Sequence, residues 1–210
     1  LDVKINNNTY LYVLKQKSLM YVYDVETGER SLEHPQINSK HSGYTLPGVS
    51  FTRFFIDGNN LWGLYDEWAL VFDKMTGKPS SDYPAVRYGN GFRIHSMSSK
   101  SPYFFIDGDF FYHRVKEQYM HVYNKKDGSK AQGFPNLDYS HPEFNGGTEY
   151  KLSGYQLPYY RHGLFNISGD YIYDMGGDGV LRVFNKYTGN LSTVHNNDEY
   201  NNGVLSYEKY

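Results

Sequence analysis

The chain has no cysteine. Disulfides and thiolate metal sites are therefore excluded. No apolar run approaches the roughly 18 residues that span a bilayer as a helix, so no membrane span is expected. No run of lysine and arginine occurs, and Lys+Arg 21 against Asp+Glu 23 leaves a formal net charge of −2. The basic stripe of a nucleic-acid binder is missing. No window of about 11 residues carries an apolar stripe at helical spacing. The G-x-S-x-G elbow, the P-loop and the dinucleotide fingerprint are also missing.

What is present is aromatic. Tyr 23 and Phe 13 dominate a hydrophobic fraction of 39%. Such rings favour pleated, half-buried strands. The 210 residues suffice for one ordinary domain or one small closed barrel or propeller. The chain opens on Leu1, the expectation for a cleaved signal peptide or an excised fragment. Glycosylation sequons stand at Asn7, Asn166 and Asn190 and point to a secreted, extracellular protein.

The strongest signal is repetition. Four segments end in the same way, at Gly28, Gly77, Gly128 and Gly189. Their last strands read "MYVYD", "ALVFD", "MHVYN" and "LRVFN", alternating as half-buried strands do. Each ends in Asp24, Asp73, Asn124 or Asn185, whose side chain can bond the backbone of a following turn. Asp57-Gly58, Asp107-Gly108 and Ser168-Gly169 read as hairpin turns. A spacing of roughly 50 to 60 residues suits one propeller blade. The reading is an all-β, four-bladed β-propeller in one domain, 1–210, with blades near 1–35, 49–84, 92–135 and 161–195.

The blades also repeat in pairs. "SGYTLP" (Ser42 to Pro47) returns as "SGYQLP" (Ser153 to Pro158), 111 residues on, and Gly58 to Gly169 is the same step. Upstream, "HPQIN" (His34 to Asn38) matches "HPEFN" (His141 to Asn145). A two-blade unit has been duplicated, and the repeated phrases are expected to be the same inter-blade loop.

Two families resemble this pattern. The turns, as in "DGVLRVFNKYTG", are similar to quinoprotein-type propeller repeats. "LDVKI" at the start, "YFFIDGDFFYHRV", and the turns "DYP" and "GFP" resemble the blades of hemopexin-like four-bladed propellers. Only Asp2 keeps that family's blade-opening acid, and its cysteine pair is missing. The hemopexin-like resemblance implies an ion in a central channel and roles in binding or docking.

Candidate site residues follow from exposed chemistry in loops. Trp68 sits beside a second-to-third strand loop. Tyr159 and Tyr160 sit in an inter-blade loop with Arg161 and His162 adjacent. Aromatics with polar neighbours stack on sugars or flat apolar ligands. Tyr44 and Tyr155 are expected to seal blade against blade. His34 and His141, each before a proline in a solvent-prone loop, are expected to form two related contact sites for a ligand, an ion or a neighbouring subunit. His113 and His121 fall on neighbouring strands and are expected to pack. Together these suggest a secreted, non-enzymatic binding, carrier or scaffold propeller for a glycan or small molecule, open to oligomerisation. The alternatives are a carbohydrate-active hydrolase and a storage or structural subunit.

Overall fold

The computed structural model describes residues 2–6, 9–16, 18–47, 50–51, 53–94, 103–115, 119–138, 151–157, 162–176, 180–195 and 203–206. These form strands and turns, and no helix among them is long and apolar enough to cross a membrane. Four antiparallel sheets follow one another along the chain. The fold class is that of a four-bladed β-propeller built from a duplicated two-blade unit. Two compact units, Leu1–Pro102 and Tyr103–Tyr210, coincide with the two blade pairs.

Blade 1 contains β1 (Asp2–Asn6), β2 (Tyr10–Lys15), β3 (Leu19–Asp24), β4 (Gln36–Asn38) and β5 (His41–Thr45). Blade 2 contains β6 (Phe54–Asp57), β7 (Asn60–Tyr65), β8 (Trp68–Asp73), β9 (Ala85–Val86) and β10 (Gly89–Arg93). Blade 3 contains β11 (Phe104–Asp107), β12 (Phe110–Val115), β13 (Tyr119–Asn124), β14 (Asn136–Asp138) and β15 (Lys151–Gln156). Blade 4 contains β16 (His162–Ser168), β17 (Tyr171–Gly176), β18 (Val180–Asn185) and β19 (Gly203–Ser206). In the first three blades the order is first, second, third, fifth, fourth strand. The sheets therefore run further along the chain than the bounds read from the sequence.

The difference lies in the repeated phrase. "SGYTLP" and "SGYQLP" are not inter-blade loops. They supply β5 and β15, which pair with the third strands of their own blades. Gly43 and Gly154 lie opposite Tyr21 and His121. A Cβ on Gly43 would meet the Met20 carbonyl oxygen at 1.9 Å, and one on Gly154 the Met120 oxygen at 2.0 Å, with φ at +141° and +149°. Only glycine lets the two backbones come this close. Gly91 of blade 2 meets Ala69 in the same way, and Gly203 holds the same register opposite Arg182.

"HPEFN" lies outside the described residues, and another segment of blade 3 supplies the strand that "HPQIN" supplies in blade 1. Gln36–Asn38 pairs with β5 as the outermost strand of blade 1, and Asn136–Asp138 pairs with β15 in blade 3. "FPNLD" thus takes the role of "HPQIN", and Phe134 stands where His34 stands.

The turns are as the sequence suggests. Thr27 N donates to Asp24 Oδ1 at 2.8 Å, Thr76 N to Asp73 Oδ1 at 2.8 Å and Thr188 N to Asn185 Oδ1 at 3.1 Å. In blade 3 Lys126 N donates to Asn124 at 2.9 Å. These bonds hold the Asp24 carboxyl below its ordinary value.

Within the first unit, Tyr12, Leu14, Met20, Val22 and Tyr44 of blade 1 pack against Phe54, Leu61, Leu70 and Phe72 of blade 2. Tyr112, Met120, Val122 and Tyr155 pack against Ile167, Ile172 and Phe184 in the second unit. Each such side chain contributes about 1.5–3 kcal/mol by leaving water. A tyrosine of the repeated phrase latches each pair. The Tyr44 hydroxyl donates to the Lys74 carbonyl at 2.6 Å and its ring lies over Gly77. The Tyr155 hydroxyl donates to the Lys186 carbonyl at 2.8 Å, its ring over Gly189. Burial raises both hydroxyls well above the ordinary tyrosine value. Tyr44 and Tyr155 do seal blade against blade.

The pairs differ in what fills one layer of this interface. The first fills it with Leu14, Leu70 and Gly63, over which the Phe51 ring lies. The matching positions of the second pair are Arg114, Arg182 and Asp174, all buried. Arg114 Nη1 and Nη2 donate to the two Asp174 carboxylate oxygens at 3.0 and 2.6 Å. Arg182 lies across from Asp174 on the adjacent strand, and the Arg114 guanidinium sits 4.9 Å from the Phe165 ring centroid.

Candidate functional site

A fourfold socket explains His34. After each tight turn the chain returns to the third strand. There the amides of Ser31, Ser80, Ala131 and Ser192 donate to the carbonyls of Val22, Val71, Val122 and Val183. Three residues later comes a ring: His34, Tyr83, Phe134 or His195. Each packs edge-on against the second strand of its own blade. His34 meets Tyr10 at 4.9 Å, Tyr83 meets Trp62 at 5.0 Å, Phe134 meets Phe110 at 4.9 Å and His195 meets Tyr171 at 4.6 Å.

His34 is only 5% exposed, not displayed in a solvent-prone loop. Its Nδ1 shares a hydrogen bond with Ser31 Oγ at 2.7 Å and its Nε2 with Tyr12 Oη at 2.9 Å. A neutral imidazole satisfies both, donating from one nitrogen and accepting at the other. Burial, opposed by the nearby Glu33 charge, lowers the His34 pKa to about 4. Between pH 6.5 and 4 the unfolded chain takes up a proton that the folded chain refuses. His34 therefore stabilises the fold fully above this window and progressively less as pH falls through it. The expected loss is roughly 2–3 kcal/mol. His34→Phe, which copies blade 3, should flatten this part of a stability-against-pH curve measured by urea titration. An unchanged slope would assign the acid sensitivity elsewhere.

Trp68 opens β8, opposite Tyr65 and Arg93. It is half-buried and packs on the edge of the first pair's core. His162 opens β16 opposite Gly176, at the position that Phe51 holds in the first pair. Tyr159, Tyr160, Arg161, His141 and Asn7 lie outside the described residues. Asn166 and Asn190 are exposed. His113 and His121 are direct cross-strand partners, both buried. Among the described residues no three His, Asp or Glu side chains are grouped to hold a metal ion.

The structure draws attention to residues the sequence reading passed over. On β3, Met20 and Val22 face blade 2, so Tyr21 and Tyr23 point to the other face. The same two positions are Leu70 and Phe72 in blade 2, His121 and Tyr123 in blade 3, and Arg182 and Phe184 in blade 4. All six are buried, whereas Tyr21 and Tyr23 are only half-buried. Leu11 and Val13, beside them on β2, are half-buried too. From β5, His41 stacks on Tyr21 with centroids 4.4 Å apart and planes 11° from parallel. Its Nδ1 hydrogen-bonds the Tyr23 hydroxyl at 3.2 Å. Tyr23 stands edge-on to Tyr21 at 6.4 Å, and the Lys15 ammonium lies 5.2 Å from the Tyr21 ring centroid. Burial, then the neighbouring Tyr21, raises the Tyr23 hydroxyl.

This face offers two flat π-surfaces held at a right angle, a cation and several hydrogen-bonding tips. Such groups recognise rings that carry hydroxyls. The sequence signal is tyrosine at both Tyr21 and Tyr23 of "LMYVYD", two positions at which each other blade has a single tyrosine or phenylalanine, together with the histidine directly before "SGYTLP".

No protein-family description matches the chain, and no curated protein does. Solved propeller structures align with it at low identity. The computationally designed Ika4 protein matches with a TM-score of 0.47 at 12% identity, over 88% of this chain and 89% of that one. The designed Ika8 protein gives 0.47 at 13%, over 97% of this chain. BamB from Moraxella catarrhalis gives 0.43 at 10%, over 89% of this chain. The chain spans 63% of Ika8 and 60% of BamB.

Proposed function

We propose that this chain is a secreted, non-enzymatic binding or scaffold propeller that holds a carbohydrate ring on the aromatic face of blade 1. The observation that carries this reading is the stacking of His41 on Tyr21, the latter half-buried at a position the other three blades bury. A sugar is favoured over a flat apolar molecule because Lys15, His41 and Tyr23 bring polar tips to the same face, and an apolar ligand covering the Lys15 ammonium would strip its hydration without replacing it. The exposed sequon residues Asn166 and Asn190 support secretion. The resemblance to hemopexin-like blades supports docking rather than turnover.

The test is a glycan array followed by titration of the best sugar. Tyr21→Ala and His41→Ala should each weaken binding about tenfold, the loss of roughly one aromatic contact, with melting shifted by only a few degrees. Binding that survives both substitutions would place the ligand elsewhere.

A further inference from the structure

Duplication gave the two blade pairs nearly the same interface. Both are closed by the tyrosine latch and both bury the same aliphatic and aromatic pattern. Nothing in these shared features tells the Leu14 face of blade 1 to pack on the Leu70 face of blade 2 rather than on the Arg182 face of blade 4 in another copy, or the Arg114 face of blade 3 the reverse. The place where the pairs differ does.

We propose that Arg114 and Asp174 form a pairing code that keeps these two blade faces together and rejects the matching faces of a second copy of the chain. If the Arg114 face of blade 3 packed on the Leu70 face of blade 2 in another copy, the guanidinium would be buried against Leu70, Gly63 and the Phe51 ring. If the Leu14 face of blade 1 packed on the Asp174 face of blade 4 in another copy, Leu14 would meet the Asp174 carboxylate and remove both of its Arg114 bonds. The first error is the costlier, since Arg182 still lies across from Asp174 in the second. One exchange makes both errors together. A buried ion pair contributes little net stability compared with apolar packing, but a buried charge without its partner is severely unfavourable. Leu14, Leu70 and Phe51 show that an apolar filling works at this place. The charges in the second pair are thus explained by the partners they reject.

The experiment moves the code. A Leu14→Arg, Arg114→Leu variant gives blade 1 the guanidinium that Asp174 accepts. Parent and variant are refolded from guanidinium at several concentrations, and their masses are measured by light scattering after size exclusion. The variant should assemble to at least twice the parent's mass, increasingly so at high concentration. A variant refolding to the parent's mass at every concentration would overturn the code. A second variant guards against simple misfolding. Arg114→Leu, Asp174→Gly, Arg182→Leu copies the first pair and erases the code. It should refold to a mixture of masses, and a single species of the parent's mass at the parent's yield would count against the proposal.

Discussion

Asp174→Asn is expected to destabilise the protein by about 3–5 kcal/mol. Asp174 is 2% exposed and accepts two hydrogen bonds from Arg114, which is 1% exposed. Arg182 lies across from it on the next strand. Removing this carboxylate takes from the buried Arg114 guanidinium the acceptor of both these hydrogen bonds. An amide oxygen replaces one acceptor but none of the negative charge. For a chain of this size the melting temperature should fall by roughly 6–20 °C. The control is Arg93→Ala, which breaks the exposed Arg93–Glu67 bridge of 2.7 Å and should cost less than about 1 kcal/mol. Equal effects of the two substitutions in urea titration would mean that the interior pair is hydrated.

Gly43→Ala is expected to cost about 4 kcal/mol, at the extreme end for a single methyl group. The added carbon would lie 1.9 Å from the Met20 oxygen, a backbone atom that no rotamer change can move aside. β5 would have to retreat from β3. Tyr44, the next residue, would then lose its hold on the Lys74 carbonyl and on Gly77. Strand pairing and blade pairing fail together. Gly58→Ala makes the contrast. Its φ is +56° with nothing within 4 Å, so it should cost only the left-handed strain of about 1–2 kcal/mol. Circular dichroism melts of the two variants separate close approach from backbone angle.

These glycines also show how the sequence can mislead. "SGYTLP" carries Ser-Gly and Leu-Pro, which are turn signals by local chemistry, and so reads as a loop. Its glycine serves a neighbouring strand, which no local pattern reveals. The tight turns at Asp24, Asp73, Asn124 and Asn185 were legible because each closes within four residues through its own side chain. "HPEFN" matched "HPQIN" by letters alone. The outermost strand of blade 1 is exposed along its length, so little packing holds its letters in place, and its counterpart in blade 3 reads "NLD". His34 looked solvent-prone because it precedes a proline. It is buried because Ser31, itself tied to Val22, turns the imidazole towards Tyr12. The face of Tyr21 and Tyr23 alternates like every other strand here, and alternation does not say which neighbour covers it.

The ring socket repeated in every blade selects for shape and tolerates different chemistry. Imidazole, phenol and phenyl occupy it in one molecule, at His34, Tyr83, Phe134 and His195, each against the third residue of the second strand, Tyr12, Trp62, Tyr112 and Tyr173. A single base change converts a tyrosine codon to a histidine codon. A lineage can therefore add or remove a protonatable ring in one blade without remaking the backbone around it. Acid tolerance in this architecture is adjustable at that socket, as His34 shows in blade 1.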